Sequence, residues 1–303
     1  MTDRKSRNVV ITGATSGIGE STAIALARQG AHVFVVGRDH ARGEAVVKEM
    51  SRVGGTGEFL SANLLSLKDV ARLADEVMAR TPSLDVLVNN AGGMFGTKTT
   101  SVNNIEATFA LNTVAAFALT SQLHGALAQA HGRVVNIATG FLGRTRLDVN
   151  DLVNPKSYSS FGSYARAKLA SIMMTLEQAE RWERDGIRAI AVQPGIVLGT
   201  RFGGREPSGR SIWNTVGTSI MKLLGIGATL EQATERYRLA AFGDMASGTY
   251  FAWGKVTKIP QQAQEAGVRR AVWQLLEQLT MQYAENARHQ ANEPPGGARS
   301  SLS

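Results

Sequence analysis

The sequence predicts an α/β protein, a doubly wound parallel sheet of about seven strands with helices on both faces. Three observations predict it. A short apolar strand over residues 8–12 runs into a glycine-rich turn and then into a helical stretch. Apolar runs then alternate with amphipathic helical stretches as far as residue 192, the pattern of successive βαβ units. The runs are continuously apolar, as in Ala31-His32-Val33-Phe34-Val35-Val36, which suits strands covered on both faces. With 303 residues and 43% hydrophobic content, the chain has material for one large domain. That domain is expected over residues 1–289, with a polar tail rich in Pro, Gly and Ser over 290–303.

Taken in order, the first strand meets Gly13-Ala14-Thr15-Ser16-Gly17-Ile18-Gly19. Strand, glycine turn and helix N-terminus together form a phosphate-binding arrangement. Gly13 permits the tight turn, Gly17 lets the main chain approach a pyrophosphate, and Gly19 lets the helix over 20–29 pack on the strand. The second strand ends in Gly37-Arg38-Asp39. In dinucleotide-binding folds an acidic side chain there takes the ribose hydroxyls of NAD, and a basic one takes the 2′-phosphate of NADP. Gly37 leaves space, Arg38 supplies charge, and Thr15 and Ser16 are within reach, so the cofactor predicted is NADP(H).

A helix follows over 39–53, ended by Gly54-Gly55, then a third strand over 58–61 and a helix over 66–80 with Val70, Leu73 and Val77 at helical spacing. The fourth strand, 84–88, ends in Asn89-Asn90-Ala91-Gly92. A long helix is expected over 103–129, a fifth strand over 132–138, and a loop excursion over 141–160 beside the site mouth. The next helix runs to about residue 185, where Gly186 stops it. A sixth strand covers 187–192. Residues 201–211 are rich in Gly and Arg, and 212–224 are apolar. A helix over 230–242, a last strand over 248–252 and a helix over 261–289 complete the chain.

The chemistry centres on Tyr164 and Lys168. Four residues apart on one helix, they project from one face. A phenol is a poor acid near neutrality, and a neighbouring ammonium is expected to lower its pKa. The pair suits proton transfer in a carbonyl–alcohol interconversion.

With both motifs in view, the chain resembles the short-chain dehydrogenase/reductase family. The matching segments are TGATSGIG at 12–19, NNAG at 89–92, Asn112, VVNIATG at 134–140, YARAK at 164–168, and Pro194-Gly195. The segments at 147–170 and 247–260 look most like its retinol-dehydrogenase-like branch. The resemblance implies a Rossmann-type fold and NADP(H)-dependent interconversion of a carbonyl and an alcohol. In it Tyr164 is the acid/base, Lys168 holds the ribose, and Asn112 holds a water in a relay to Lys168. Thr139 stands where the family usually has serine; it keeps a hydroxyl but adds a β-methyl. Asn63 stands where Asp commonly accepts from the adenine, followed by Leu64. Asn90, Ala91 and Gly92 line the nicotinamide ribose. Pro194, Gly195, Ile196 and Val197 touch the nicotinamide, and Thr200 reaches the pyrophosphate. The region 200–230 is a lid whose apolar character suggests a hydrophobic substrate. A homodimer or homotetramer is implied, with the Asn112 and Tyr164 helices packed across the interface.

Other readings stay open at this point. The same pocket could run non-redox cyclisation, elimination or epimerisation, and the fold could serve as a nucleotide-binding regulatory module. The net charge of +8 is scattered apart from Arg201, Arg205 and Arg210, so a solvated surface attractive to an anionic cofactor is favoured over nucleic-acid binding. There is no cysteine, hence no disulfide or thiolate site, and the five histidines are dispersed, so no metal is expected. No apolar run is long enough to span a bilayer and no signal-peptide pattern is seen, so the expected location is the cytoplasm.

Overall fold

A computed structural model describes residues 6–140, 142, 145–195, 197 and 227–292, the last nine of these by backbone alone. The strands are β1 (Asn8–Thr12), β2 (His32–Gly37), β3 (Thr56–Ser61), β4 (Val86–Asn89), β5 (Arg133–Ile137), β6 (Arg188–Val192), β7 (Tyr250–Ala252) and β8 (Lys255–Val256). They form one sheet in the order β3-β2-β1-β4-β5-β6-β7-β8, parallel from β3 to β7. The strand direction of growth reverses between β1 and β4, the crevice in which doubly wound sheets bind their ligands. β8 is a two-residue antiparallel addition, and the sequence pattern had no signal for it.

Alternate residues of each strand serve opposite faces. Val9, Ile11, Val33, Val35, Val135 and Val192 pack with helices α1 (Gly17–Arg28), α2 (His40–Arg52) and α8 (Leu230–Phe242). Val10, Phe34, Leu87 and Val134 pack with α3 (Leu67–Arg80), α5 (Ala115–Gln122), α7 (Ser160–Arg181) and α10 (Ala266–Asn292). Such side chains contribute roughly 1.5–3 kcal/mol each when fully buried. Most helix starts follow the local chemistry. Asp39, Ser66 and Ser159 accept from backbone N–H groups in the first turns of α2, α3 and α7, and Thr229 with Gln232 forms a capping box on α8.

The expected long helix over 103–129 is three pieces around a wider turn. It comprises α4 (Ala107–Phe109), a π-helical turn (Ala110–Val114), α5, and, after a break at Leu123, α6 (His124–Ala130). Glu106, buried, starts it by accepting from the Thr108 and Phe109 N–H groups at 2.8 and 3.0 Å. The terminal helix also divides, into α9 (Gln261–Gln264) and α10. α10 runs to Asn292, and residues 293–303 lie outside the described region.

The placing of α7 departs most from expectation. Residues from Ser163 to Gln178 are buried on nearly every side of this helix, Lys168 and Glu177 included. One side is covered by α10. Trp273 of α10 meets Phe117 and Trp182 edge-on, with the Arg181 guanidinium over its ring, and Arg269 reaches Glu177 at 3.1 Å. α10 thus covers one side of α7 within the chain.

Candidate active site

The carboxyl ends of β1, β4 and β5 meet at the crevice. Gly13 and Gly17 have left-handed φ values of 65° and 60°, which only glycine adopts freely. A Cβ at Gly19 would lie 2.5 Å from both the Asn90 side chain and the Gly13 carbonyl, so the helix can approach only without one. Asn90 fixes the loop by donating to the carbonyls of Thr12 (2.8 Å) and Gly13 (3.0 Å), and the Thr12 hydroxyl receives the Ala91 N–H at 3.0 Å. Tyr237 of α8, fully buried, donates to the Asn90 side-chain oxygen at 3.1 Å, and burial pushes its phenol well above the usual range. Two arginines anchor α8: Arg133 of β5 donates to the Ala240 and Gly243 carbonyls, and Arg236 of α8 donates to the Pro194 carbonyl.

Ser16 precedes α1 in extended backbone without capping it by its side chain. The first-turn amides of α1 thus have no side-chain acceptor, and a pyrophosphate fits that donor set. At the end of β2, Thr15 packs against Gly37, where a Cβ would lie 2.4 Å from its methyl group. Arg38 beside them is exposed and makes no ion pair among the described residues. Asp39 is engaged elsewhere: it accepts the Arg42 N–H and pairs with the Arg42 guanidinium at 3.2 Å. Asn63 turns its side-chain oxygen onto the Leu65 N–H, and Leu64 packs against the core.

On the other side of the crevice, Tyr164 hydrogen-bonds with the Thr139 side chain. Thr139 is nine-tenths buried, and Tyr250 of β7 donates to its carbonyl at 2.8 Å. Lys168 is fully buried; its Nζ lies 5.8 Å from the Tyr164 ring centroid and donates to the Ile137 carbonyl at 2.6 Å. Asn112, in the π turn, donates to the Gly93 and Thr108 carbonyls, both at 2.7 Å, and accepts the Gly93 N–H. The Asn112 carbonyl accepts from Ser171 of α7 at 3.1 Å. The wider turn thus clamps the strand-end loop against α7.

The electrostatics depart from the expected lowered phenol. Burial raises the Tyr164 pKa above its usual value, and only the Thr139 hydrogen bond acts downward. Burial also lowers Lys168 to about 7, so near neutrality it carries only part of a full charge.

A family model for the short chain dehydrogenases matches residues 7–210. The chain belongs to this family. Curated relatives within it include retinol dehydrogenase 14 of Mus musculus, 32% identical over 289 residues and covering 89% of this chain and 85% of the relative. A Streptomyces sp. (strain C5) protein described as a daunorubicin C-13 ketoreductase is 39% identical over 199 residues, covering 65% and 68%. Among solved structures, an uncharacterised Mycobacterium paratuberculosis protein aligns with a TM-score of 0.73 at 30% identity, covering 91% of this chain and 93% of that one. A Beutenbergia cavernae protein described as an NAD(P)-dependent gluconate 5-dehydrogenase, with NADP bound, aligns with a TM-score of 0.64 at 27% identity over 81% and 94%. These comparisons make the chain a short-chain oxidoreductase with a nicotinamide cofactor and a small-molecule substrate.

Of the residues singled out in sequence, the structure gathers Gly13, Thr15–Gly19, Asn90–Gly92, Asn112, Thr139, Tyr164, Lys168, Pro194 and Gly195 around this short-chain dehydrogenase crevice. Val197 bridges to Ala228. Ile196, Thr200, and the lid residues 201–226 lie outside the described region. Sequence reasoning missed a buried polar network. Asn89 donates to Thr120 and Asn136 (both 2.9 Å), and Asn136 donates to Thr175 (3.0 Å) and Gln178 (2.7 Å). It ties β4, β5, α5 and α7 together below Tyr164 and Lys168. A signal existed: an Asn ends one apolar strand and interrupts another. No helix among the described residues is long and apolar enough to cross a membrane.

Proposed function

We propose that this chain is an NADP(H)-dependent reductase or dehydrogenase that interconverts a carbonyl and an alcohol on a hydrophobic small molecule, with Tyr164 as acid/base. The observation that carries the reading is the hydrogen-bonded Thr139–Tyr164 pair, with buried Lys168 one turn along α7 and its Nζ close to Gly92 of the loop after β4. The glycine loop and the first turn of α1 would hold the cofactor pyrophosphate, and the cofactor, when bound, would supply or take up the hydride. Thr139 orients the substrate oxygen, and Tyr164 transfers the proton to or from it. Lys168 holds the ribose hydroxyls, and Asn112 supports its surroundings through the Gly93 loop. Arg38, unencumbered by Asp39, takes the 2′-phosphate, with Thr15 and Ser16 beside it. Asn63 and Leu64 flank the adenine, and Val197 and Thr200 complete the nicotinamide and pyrophosphate contacts. A hydrophobic substrate accords with the daunorubicin in the name of the Streptomyces relative and the retinol in that of the mouse one. The reading takes 1–289 as one domain with a lid at about 200–230 and places it in the cytoplasm. It also takes the chain as a homodimer or homotetramer, with the helices that carry Asn112 and Tyr164 packed across the interface.

The test is a paired titration with NADPH and NADH, followed by assay of Tyr164→Phe. NADPH is expected to bind more tightly by roughly 1.5–3 kcal/mol, the scale of a hydrogen bond to a charged group. Tyr164→Phe should bind NADPH as wild type does and lose turnover. Better binding of NADH would overturn the role of Arg38, and full activity in Tyr164→Phe would overturn that of Tyr164. Turnover without stoichiometric NADPH consumption would point to non-redox chemistry.

A further inference from the structure

The turn between β7 and β8 breaks a local rule beside the site. Phe251 pairs with Val256 and Ala252 with Lys255, so Trp253 and Gly254 alone connect the strands. Both have left-handed φ, 57° and 78°. A two-residue turn of this kind favours Asn at its first position, because a bulky L-residue is strained there. Trp253 is held in that conformation from two sides. Its N–H donates to the Gln193 side-chain oxygen at 2.9 Å, and Gln193 is itself only 2% exposed. Its indole lies on Gly140: a Cβ built there would be 2.8 Å from Cζ2 of Trp253 and 2.9 Å from its Cε2. The Gln193 amide nitrogen, buried and without a hydrogen-bond partner among the described residues, would lie 2.9 Å from the same point. Gly140 follows Thr139 directly, and Tyr250 at the start of the same hairpin holds the Thr139 carbonyl. The hairpin therefore grips Thr139–Gly140 from both sides while leaving Trp253 48% exposed.

Resting on the carbonyl–alcohol reading above, we infer that Trp253 is a substrate-specificity residue. Its indole, lying on Gly140 next in the chain to Thr139, is an aromatic wall against which a planar aromatic or conjugated part of the substrate stacks. Aromatic pairs prefer offset or edge-on packing with a partner ring, and a saturated small substrate gains little from it. The bare backbone at Gly140 leaves the indole where it can make that contact, and a side chain at 140 would displace it. The strained conformation is the signature of a position kept for its side chain rather than for its turn.

The test compares wild type, Trp253→Asn and Trp253→Phe with NADPH, using the planar ketone 2-acetonaphthone and the small ketone 2-butanone. Asn suits the turn, so Trp253→Asn is expected to melt at or above the wild-type temperature and to bind NADPH unchanged. It should lose about 5- to 10-fold in kcat/KM for 2-acetonaphthone, through KM, the scale of one aromatic contact. Its kcat/KM for 2-butanone should fall by clearly less than that for 2-acetonaphthone, and Trp253→Phe should retain most of the preference. Equal loss on both ketones, or no loss on either, would overturn the inference. If wild type binds NADPH and reduces neither ketone, neither is a substrate for turnover and the kinetic comparison gives way to binding. Trp253 is then judged by equilibrium binding of 2-acetonaphthone to the NADP-bound proteins, and equal affinity in wild type and Trp253→Asn overturns it.

Discussion

Burial holds the Lys168 ammonium to a pKa of about 7, against 10.5 for an ordinary lysine. The folded chain therefore gives up this proton near pH 7, while the unfolded chain keeps it to about pH 10.5. Across that window the unfolded state binds more protons, so stability rises with pH. Lys168→Met should remove the rise: the wild-type denaturation midpoint should climb between pH 7 and 9.5, and the variant's should stay level. A wild-type midpoint that does not climb would show Lys168 titrating as an exposed lysine does. Tyr164, raised by burial, adds its own dependence only above pH 10, outside this range. Thr139 gives a second prediction at this scale. Thr139→Ser keeps the hydroxyl and should retain activity, whereas Thr139→Ala should lower kcat about 10²- to 10³-fold, as for loss of one oxyanion-type donor; equal kcat in the Ala variant would remove Thr139 from the chemistry. The spacing of Tyr164 and Lys168 was readable in the sequence because helical geometry is local. The upward shift of the phenol was not, because it comes from burial in the folded chain, beside Thr139, which is distant in sequence.

Glu177 is the joint between α7 and α10. It lies 3% exposed between Arg181 at 2.9 Å and Arg269 at 3.1 Å, and Arg269 also reaches Glu180. Glu177→Ala leaves two guanidinium groups without their buried acceptor and should cost about 2–3 kcal/mol in a urea unfolding curve. Glu180→Ala, whose carboxylate is exposed, should cost well under that. Similar losses in both would mean that α10 is held by Trp273 and its apolar neighbours alone. At this scale the strands were easily read, because β1, β2, β4 and β6 are apolar runs closed by Gly, Asn or Pro. Other elements were hidden for identifiable reasons. The π turn at 110–114 has ordinary helix formers around Asn112, and its cause is the tertiary clamp on Gly93. β8 is two residues long, preceded by a Trp where turn chemistry asks for Asn. The amphipathic pattern of α10 declared an apolar face, and nothing in it named α7 as the surface to be covered.

For the molecule as a whole, the sheet is a platform whose two halves meet at the β1–β4 crevice, and a ligand bridging them stabilises the fold. At 100 times its dissociation constant, NADPH should raise the unfolding free energy by about 2.7 kcal/mol. The same concentration of NADH should raise the melting temperature less, and Arg38→Ala should close the gap; equal shifts in the unaltered chain would refute the 2′-phosphate contact. The overall architecture was readable because alternation of strand and helix is written along the whole chain, whereas the covering of α7 depends on the far end of the sequence returning to its middle. The Asn89–Asn136–Gln178 network bears on how such a chain can drift over generations. Asn136 accepts from Asn89 and donates to Thr175 and Gln178, so replacing any one of them by an apolar residue strands a buried partner. Neutral change at these positions must then arrive in concert, as matched pairs or not at all. The platform beneath the proton-transfer residues should accordingly be slower to diverge than the apolar strands around it, where one aliphatic side chain can replace another singly.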